Sequence, residues 1–349
     1  MKCPICMNNQ RYKEGMICRE CEYQFALNPK EPPHISDMAF KNAVDRASRD
    51  GRYYFTYNQL FAQIYRIIKK KQREDKTGCL IFFVVFIGLF GFSVLHTFSP
   101  SFSWGVLVLY AIMGILGIVR NARGPVTILC SSVSRTISTY RDVHSTDHLV
   151  ESRMFQEPSP EAFEEFFQYA PDRILIVERD DIADMLILNR FHLENKTLVV
   201  SRHKYPEHAF KACQQFLSQH PDIPVMLIHD ASEKGLRMKK RILTDKSWNL
   251  REKNVQDLGL FPRDVKRLRI PMWLPKGVSV YGEILCSRKA ADENISHGYR
   301  MPVDAAPPAA MMGSVSFALV SGLALLSEEF LNEQQRRTSV RVDFGEGFG

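Results

Sequence analysis

The sequence predicts a multidomain α/β membrane protein with three parts in chain order. A short head carries two Cys-x-x-Cys pairs, Cys3/Cys6 and Cys18/Cys21. Two apolar stretches without Asp, Glu, Lys or Arg, 79–98 and 104–119, approach the length of a membrane-spanning helix. From residue 172 onward, runs of β-branched residues alternate with helical segments, which is typical of a mostly parallel sheet covered by helices on both faces.

The predicted head covers residues 1–27, and its cysteines follow the spacing C-x2-C-x11-C-x2-C. Each pair lies in a short loop, so its two thiolates can approach one ion, and four thiolates suit a tetrahedral structural Zn²⁺. So small a head buries little apolar surface, and the metal is expected to supply most of its folding free energy. The alternatives are a pair of disulfides or a redox Cys-x-x-Cys motif.

The chain of 349 residues has a formal net charge of +7, and the basic excess is local. Lysines and arginines crowd ahead of the first apolar stretch, and Arg120 and Arg123 follow the second. The turn between the stretches is uncharged. The positive-inside rule therefore predicts a hairpin in the inner (cytoplasmic) membrane, with the lipid bilayer as a partner and both termini in the cytoplasm. The alternative is a helical hairpin buried in a globular core.

Residues 28–78 are predicted to form a linker and amphipathic helices. Ser36 and Asp37 predict a helix start, and apolar residues at helical spacing between 60 and 68 predict a second helix. That apolar stripe suits a membrane surface, the protein's own domains or a second copy of the chain. Residues 120–158 are predicted to be a connector. The C-terminal extension, 286–349, contains an apolar segment, 309–326, that is predicted to be a buried or interfacial helix.

The predicted α/β domain covers residues 159–285. Strands are predicted at 173–177, 196–200 and 223–228, with helices at 182–191 and 206–220. Acidic residues follow the strands: Glu178 the first, and Asp230 and Glu233 the third. In open parallel sheets the chemistry lies at the carboxyl ends of the strands, so these acids are the candidate site residues. The alternative is that they are solvated strand ends or helix caps.

The order of these elements resembles the Toprim domain of topoisomerase VI A subunits and the related meiotic recombination nuclease, over roughly residues 172–275. The resemblance rests on Glu178, on Asp230-x-x-x-x-Gly235, on Lys204-Tyr205-Pro206 and on Asp257-Leu-Gly-Leu260-x-x-x-Asp264.

It implies that Mg²⁺, held by a glutamate and an Asp-x-Asp pair, supports phosphodiester chemistry. Glu178 and Asp230 are the catalytic candidates, and with Glu233 the magnesium candidates. Position 232 is serine where the family has its second aspartate, and no catalytic tyrosine domain is recognisable. We therefore predict a degenerate Toprim-like domain.

The main functional prediction is a zinc-ribbon scaffold or sensor at the membrane, whose Toprim-like domain binds a protein partner, a second copy of the chain or nucleic acid. One alternative is a metal-dependent nuclease or topoisomerase-related phosphodiesterase using Glu178 and Asp230. Another is a receiver-like domain with Asp180 and Asp181 around Mg²⁺ and Asp230 as the phosphoacceptor. The basic segment 237–269 suits anionic lipid or protein, or a nucleic-acid backbone with Trp248 stacked on a base.

Overall fold

The computed structural model describes residues 1–74, 127–155, 171–265, 272–275, 282–286 and 290–321, with the single positions 86, 112, 114 and 117. A sheet of four parallel strands lies in the C-terminal half: β1 (Arg173–Val177), β2 (Thr197–Ser201), β3 (Val225–Ile228) and β4 (Val255–Asp257). The strand order is β2-β1-β3-β4, with Ile174 beside Leu198 on one side and Val225 on the other. This sheet confirms the predicted parallel α/β core.

Helices flank the sheet and build a second unit ahead of it. In chain order they are α1 (Asp37–Ser48), α2 (57–74), α3 (Cys130–Arg141), α4 (Asp180–Leu188), α5 (Phe191–Glu194), α6 (Glu207–Gln219), α7 (Glu233–Leu236), α8 (Met238–Thr244), α9 (Pro262–Val265), α10 (Ala291–Ser296) and α11 (Pro308–Ser321). Short 3-10 turns cover Tyr12–Glu14, Glu252–Asn254 and Val303–Ala305.

Alternate side chains of β1 enter two different cores. Leu175 and Val177 pack with α4 and α11 on one face of the sheet. Ile174 and Ile176 pack with α6 and α8 on the other face. Successive side chains of a strand point to opposite faces, so a strand that is apolar throughout requires cover on both sides.

Helices α1, α2 and α3 share one core. Phe40 of α1, Ile64 and Ile68 of α2 and Ile137 of α3 are buried together. The apolar stripe of α2 therefore packs on the protein's own helices, and α3 is an element that the sequence did not predict. Segments from 28–78 and 120–158 thus contribute to one unit, whereas the proposed domain boundaries stay predictions.

Within the described ranges, no helix is long and apolar enough to cross a membrane. This finding contradicts the membrane-spanning part of the predicted fold class and the predicted localisation in the inner (cytoplasmic) membrane. The stretches 79–98 and 104–119, on which that prediction rested, lie outside the described residues apart from four single positions. The prediction rested on charge-free length and on the basic residues that flank both stretches, and these features do not by themselves place a segment in a bilayer.

The described part of the predicted apolar helix at 309–326 is α11. Its Met311, Val315, Ala318 and Leu319 are buried against the α/β domain. The C-terminal extension therefore returns to the sheet, and it carries residues 300–304 to the carboxyl ends of β1 and β3.

Candidate functional sites: a cysteine cluster and an arginine-filled acidic edge

The head consists of two similar hairpins, one around each Cys-x-x-Cys pair. The Cys3 N–H donates to Asn8 O at 2.9 Å, and the Cys18 N–H donates to Tyr23 O at 2.8 Å. The residue after the second cysteine of each pair, Met7 or Glu22, has a left-handed φ of 63° or 58°. This shared turn directs both sulfurs of a pair toward the same point.

The four sulfurs meet at that point. All lie within 4.8 Å of one another, with 3.5 Å between Cys3 and Cys21 and between Cys6 and Cys18. Four thiolates around a tetrahedral Zn²⁺ stand about 3.8 Å apart, given Zn–S bonds of about 2.3 Å. The cluster fits the predicted structural zinc site.

A buried aspartate attaches the head to α1. Asp37, at the start of α1, accepts hydrogen bonds from the Ala26 and Leu27 backbone N–H groups at 2.8 Å and from the Tyr23 hydroxyl at 3.0 Å. His144, just after α3, stacks on Tyr23 with ring centroids 4.5 Å apart. The head is therefore fixed to the helical unit by polar contacts as well as by the chain.

Glu178 and Asp230 come together at the carboxyl end of the sheet. With Asp181 and Asp304 they form the acidic edge. Glu178 follows β1 directly, and Asp230 lies two residues after β3, the neighbour of β1. Both side chains are buried. The Asp230 backbone N–H donates a 2.8 Å hydrogen bond to Glu178 Oε2, which ties the two strand ends together.

Donors from the chain already occupy the Asp230 carboxylate. Its Oδ2 accepts from Arg179 Nη1 at 3.1 Å and from Arg300 Nη1 at 2.9 Å. Its Oδ1 accepts from the Val303 backbone N–H at 2.8 Å. A carboxylate accepts at about four lone-pair positions, and three are filled here. A metal ion at Asp230 would have to displace a guanidinium.

Arg179 links three carboxylates at this edge. Besides Asp230, its Nε donates to Asp181 Oδ1 at 2.9 Å, and its Nη2 pairs with Asp304. Asp304 is fully buried and also accepts from Thr56 Oγ1 at 2.5 Å and from Asn58 Nδ2 at 3.2 Å. One guanidinium presents five N–H donors in a fixed plane, so it can neutralise such a set. Its cationic charge stands among acids of the kind that hold Mg²⁺.

The pKa values of Glu178 and Asp304 are shifted in opposite directions. Burial and the Asp230 carboxylate raise the pKa of Glu178. Burial acts in the same direction on Asp304, but the Arg179 guanidinium outweighs it and lowers the pKa of Asp304. A carboxyl group with a raised pKa favours its neutral form, which is a weaker ligand for a hard cation. Glu178 is therefore a poorer magnesium ligand than its position alone suggests.

Asp180 and Asp181 face different partners. Asp180 Oδ1 accepts from Ser201 Oγ at 2.5 Å, and its Oδ2 accepts from Arg153 Nε at 2.9 Å. Asp181 instead pairs with Arg179. The receiver-like interpretation requires both acids and a free phosphoacceptor, whereas Asp230 is 2% exposed and bound by three donors. The geometry argues against that interpretation.

Two glycines bring the backbone close to the acidic edge. A Cβ on Gly259 would lie 2.3 Å from the imidazole of His229. A Cβ on Gly235 would lie 2.2 Å from the Asp230 backbone oxygen. The fully buried His229 has its Nε2 3.0 Å from Asp257 Oδ1. Burial opposes the charged imidazolium, but the Asp257 carboxylate outweighs it and raises the pKa of His229.

The remaining predicted site residues lie farther out. Glu233 is exposed at the start of α7 and pairs with Arg237 at 3.2 Å, and the Ser232 hydroxyl accepts from the Gly235 N–H as the cap of α7. Of the described residues, only the head cysteines form a group of three or more ligand atoms within 4.8 Å. Magnesium binding by Glu178, Asp230 and Glu233 stays a prediction. Trp248 is buried against Phe210, so base stacking there was a wrong expectation.

A cavity of about 240 Å³ opens beside the acidic edge. Basic side chains outnumber the acids in its wall: Arg179, Arg202, Lys234 and Arg300 against Glu178, Asp230 and Glu233. Arg202 Nε donates to the Glu178 backbone oxygen at 3.0 Å, which holds its guanidinium at the cavity. Arg179 and Arg300 pair with Asp230, so the positive charge that the wall offers to a ligand lies mainly on Arg202 and Lys234.

The sequence did not single out four residues of this site: Arg179, Arg202, Arg300 and Asp304. Arg179 follows Glu178 directly, and that adjacency was the available signal. Arg300 and Asp304 are about seventy residues from Asp230 in the chain, and only the return of the C-terminal extension brings them to the strand ends.

Comparison with known families agrees with this geometry. Residues 173–283 match the family model for the Toprim domain of topoisomerase 6 A subunits and Spo11. The chain therefore contains a Toprim-like domain, as predicted, together with a four-cysteine cluster able to bind a metal such as zinc. Comparisons with curated proteins and with solved structures gave no match.

Proposed function

We propose that the Toprim-like domain is a binding module that takes a backbone phosphate of nucleic acid into the cavity, without metal-dependent cleavage. The observation that carries this proposal is the position of Arg179 between Asp181, Asp230 and Asp304. An internal cation among these acids removes the need for Mg²⁺ and opposes its entry by charge repulsion.

The cavity wall supports an anionic ligand. Arg202, Lys234 and Arg300 offer guanidinium and ammonium donors, which are the groups that contact phosphate in nucleic-acid complexes. A few residues after Lys234 in the chain, α8 turns Met238 and Ile242 inward and leaves Lys240 and Arg241 exposed. This basic surface extends the positive field beyond a single phosphate, as a polymer ligand requires.

The test measures binding of a fluorescent DNA oligonucleotide to the full chain by anisotropy, in single-stranded and duplex form and at two salt concentrations. We expect the doubly substituted variant R202Q/K234Q to bind at least about tenfold more weakly and to show a smaller salt slope. Lys253→Gln is the matched control, because Lys253 is exposed and pairs with Asp222 instead. Equal binding by the wild type and R202Q/K234Q would contradict the proposal. Binding of inorganic phosphate in calorimetry, without DNA binding in the anisotropy assay, would instead point to a small phosphorylated ligand.

Magnesium-dependent phosphodiester cleavage by Glu178 and Asp230 stays the alternative. Calorimetry with Mg²⁺ and Mn²⁺ separates the two functions. If the Toprim-like domain is a binding module, no heat of metal binding is expected beyond that of the head cysteines. Binding by the wild type that disappears in both Glu178→Gln and Asp230→Asn would favour the enzyme, and a nuclease assay would follow.

A scaffold function for the zinc ribbon is a second candidate, with a protein or a second copy of the chain as partner. Apolar side chains beside the two Cys-x-x-Cys pairs are exposed: Ile5 is 64% exposed, Met7 55% and Ile17 59%. Exposed apolar groups around one feature are typical of a protein contact. Sedimentation of the wild type and of I5S/I17S tests self-association. A single monomeric species in both would remove the second copy as the partner.

A further inference from the structure

The helical unit contains a group of three reactive side chains well away from the acidic edge. Lys69, near the end of the described part of α2, places its Nζ 2.9 Å from Cys286 Sγ and 3.2 Å from the Tyr65 hydroxyl. The Tyr65 hydroxyl also contacts Cys286 Sγ. Tyr65 and Lys69 are one helical turn apart, which places them on the same face of α2.

Lys69 is buried, with only 9% of its surface exposed. A buried ammonium is costly unless it is paired with a negative group and hydrogen-bonded. Within the described part of the chain, the Lys69 ammonium donates to a phenol and to a thiol. Cys286 is partly exposed beside this cation, which is the kind of electropositive environment in which reactive cysteines lie.

Tyr65 completes the arrangement as a donor. Burial and the neighbouring Cys286 raise the pKa of the Tyr65 hydroxyl, so this group keeps its proton. A protonated phenol beside a sulfur donates to it and stabilises negative charge there. The positive charges of Arg66 and Arg73 also act on the Tyr65 hydroxyl, where they partly oppose the rise of its pKa.

We propose that Cys286, Lys69 and Tyr65 form a modification site, in which the Cys286 sulfur is oxidised by hydrogen peroxide to a sulfenic acid. The thiolate sulfur attacks one peroxide oxygen, so the S–O bond forms while the O–O bond breaks. The sulfur loses two electrons to the peroxide. The departing hydroxide takes a proton from the Lys69 ammonium and leaves as water, and Lys69 regains its proton from solvent. Thiolate character and access are what make a cysteine susceptible to this step.

Cys130 provides a matched control in the same chain. It is half-buried like Cys286 and packs against the same core, but burial raises the pKa of its thiol to about 11. The two thiols thus differ in their partners far more than in their exposure. The four cysteines of the head are protected from alkylation because the test uses the full chain loaded with zinc.

The test follows alkylation of the zinc-loaded chain by iodoacetamide at neutral pH, resolved by peptide mass spectrometry. Cys286 is expected to react at least about tenfold faster than Cys130, and Lys69→Met is expected to remove that difference. Tyr65→Phe keeps the ring and the ammonium, so it should slow Cys286 less. Cys130 also reports folding, because loss of the shared core would speed its own alkylation.

A second arm treats the wild type with hydrogen peroxide and traps sulfenic acid with dimedone. An adduct at Cys286 that is absent at Cys130 and lost in Lys69→Met is the expected result. Equal alkylation of Cys286 and Cys130 in the wild type would contradict the claim that Lys69 makes Cys286 reactive. An unchanged Cys286 rate in a Lys69→Met variant with normal Cys130 protection would contradict it as well. Lack of a dimedone adduct would overturn the oxidation step.

Discussion

The cysteine cluster of the head and the acidic edge both gather side chains that bind metals, but only the acidic edge contains its own cation. The four cysteine sulfurs face one another within 4.8 Å. At the acidic edge, Arg179 stands between Asp181, Asp230 and Asp304, and Arg300 shares Asp230. A cluster of anionic ligands without an internal cation needs an external one, whereas the acidic edge is already neutralised.

Removal of metal from the ribbon is the strongest test of this contrast. Chelation, or Cys18→Ser, is expected to unfold residues 1–27 and leave the sheet folded, because structural zinc contributes about 10–16 kcal/mol in zinc-finger peptides. Hydrogen exchange of the Cys3 and Cys18 amides measures the loss, and elemental analysis measures the metal. Cys130→Ser is the control, as it lies outside the cluster. Unchanged amide protection in a metal-free chain would contradict the claim that folding of the head depends on zinc.

Removal of the internal cation should have the next largest effect. Arg179→Met leaves Asp304 and Asp230 buried without that partner, and breaking a buried pair in this way costs about 3–5 kcal/mol of unfolding free energy. Urea denaturation measures the loss. Mg²⁺ should restore part of the stability in this variant and not in the wild type.

Arg237→Met is the matched control, because the Arg237–Glu233 pair is exposed and worth at most about 1 kcal/mol. If Arg179→Met cost no more than Arg237→Met, the acidic edge would not depend on its arginine.

The close packing of the acidic edge predicts a smaller effect. Gly259→Ala places a Cβ against His229, so the variant should lose about 1–3 kcal/mol of unfolding free energy. Gly313→Ala is the control within α11, where nothing lies within 4 Å of the added Cβ. That variant should gain about 0.5–1 kcal/mol, because alanine favours a helix interior over glycine. Thermal denaturation compares the two, and equal melting temperatures would show that the strand end has room to adjust.

The smallest expected effect concerns Asp184, whose titration makes the stability of the protein depend on pH. Its partners are the neutral Tyr205 hydroxyl at 2.5 Å and the Met154 N–H, and burial raises its pKa from 3.8 to about 6. Because the folded pKa is the higher one, this contribution to stability is complete below pH 3.8 and is lost as the pH rises through about 6.

Asp184→Asn should therefore reduce the fall of the urea denaturation midpoint between pH 3.8 and about pH 6. Asp245→Asn is the control, since hydrogen bonds from Ser247 and the Lys204 ammonium lower the Asp245 pKa to about 2. A wild-type midpoint that stays constant over the same range would contradict the assignment.

Local patterns accounted for much of the fold. Ser36 and Asp37 predicted the start of α1, where Ser36 Oγ accepts from the Ala39 N–H at 3.4 Å. The apolar β-branched runs predicted β1, β2 and β3 to within two residues at each end. The polar pattern of α3 gave no comparable signal, because its buried face depends on α1 and α2. The membrane prediction was wrong because charge-free length and flanking basic residues do not by themselves place a segment in a bilayer.

By itself, the sequence determined the four-cysteine cluster and the parallel sheet with Glu178 and Asp230 at its edge. Both are local consequences, since two Cys-x-x-Cys turns present four sulfurs and parallel strands end on one side. Only the tertiary structure decided which groups surround those acids. Arg300, Val303 and Asp304 arrive from the C-terminal extension, and Thr56 and Asn58 from the helical unit. Long-range contacts of this kind leave no periodic signal, because each contributing residue is a single polar position in its own segment.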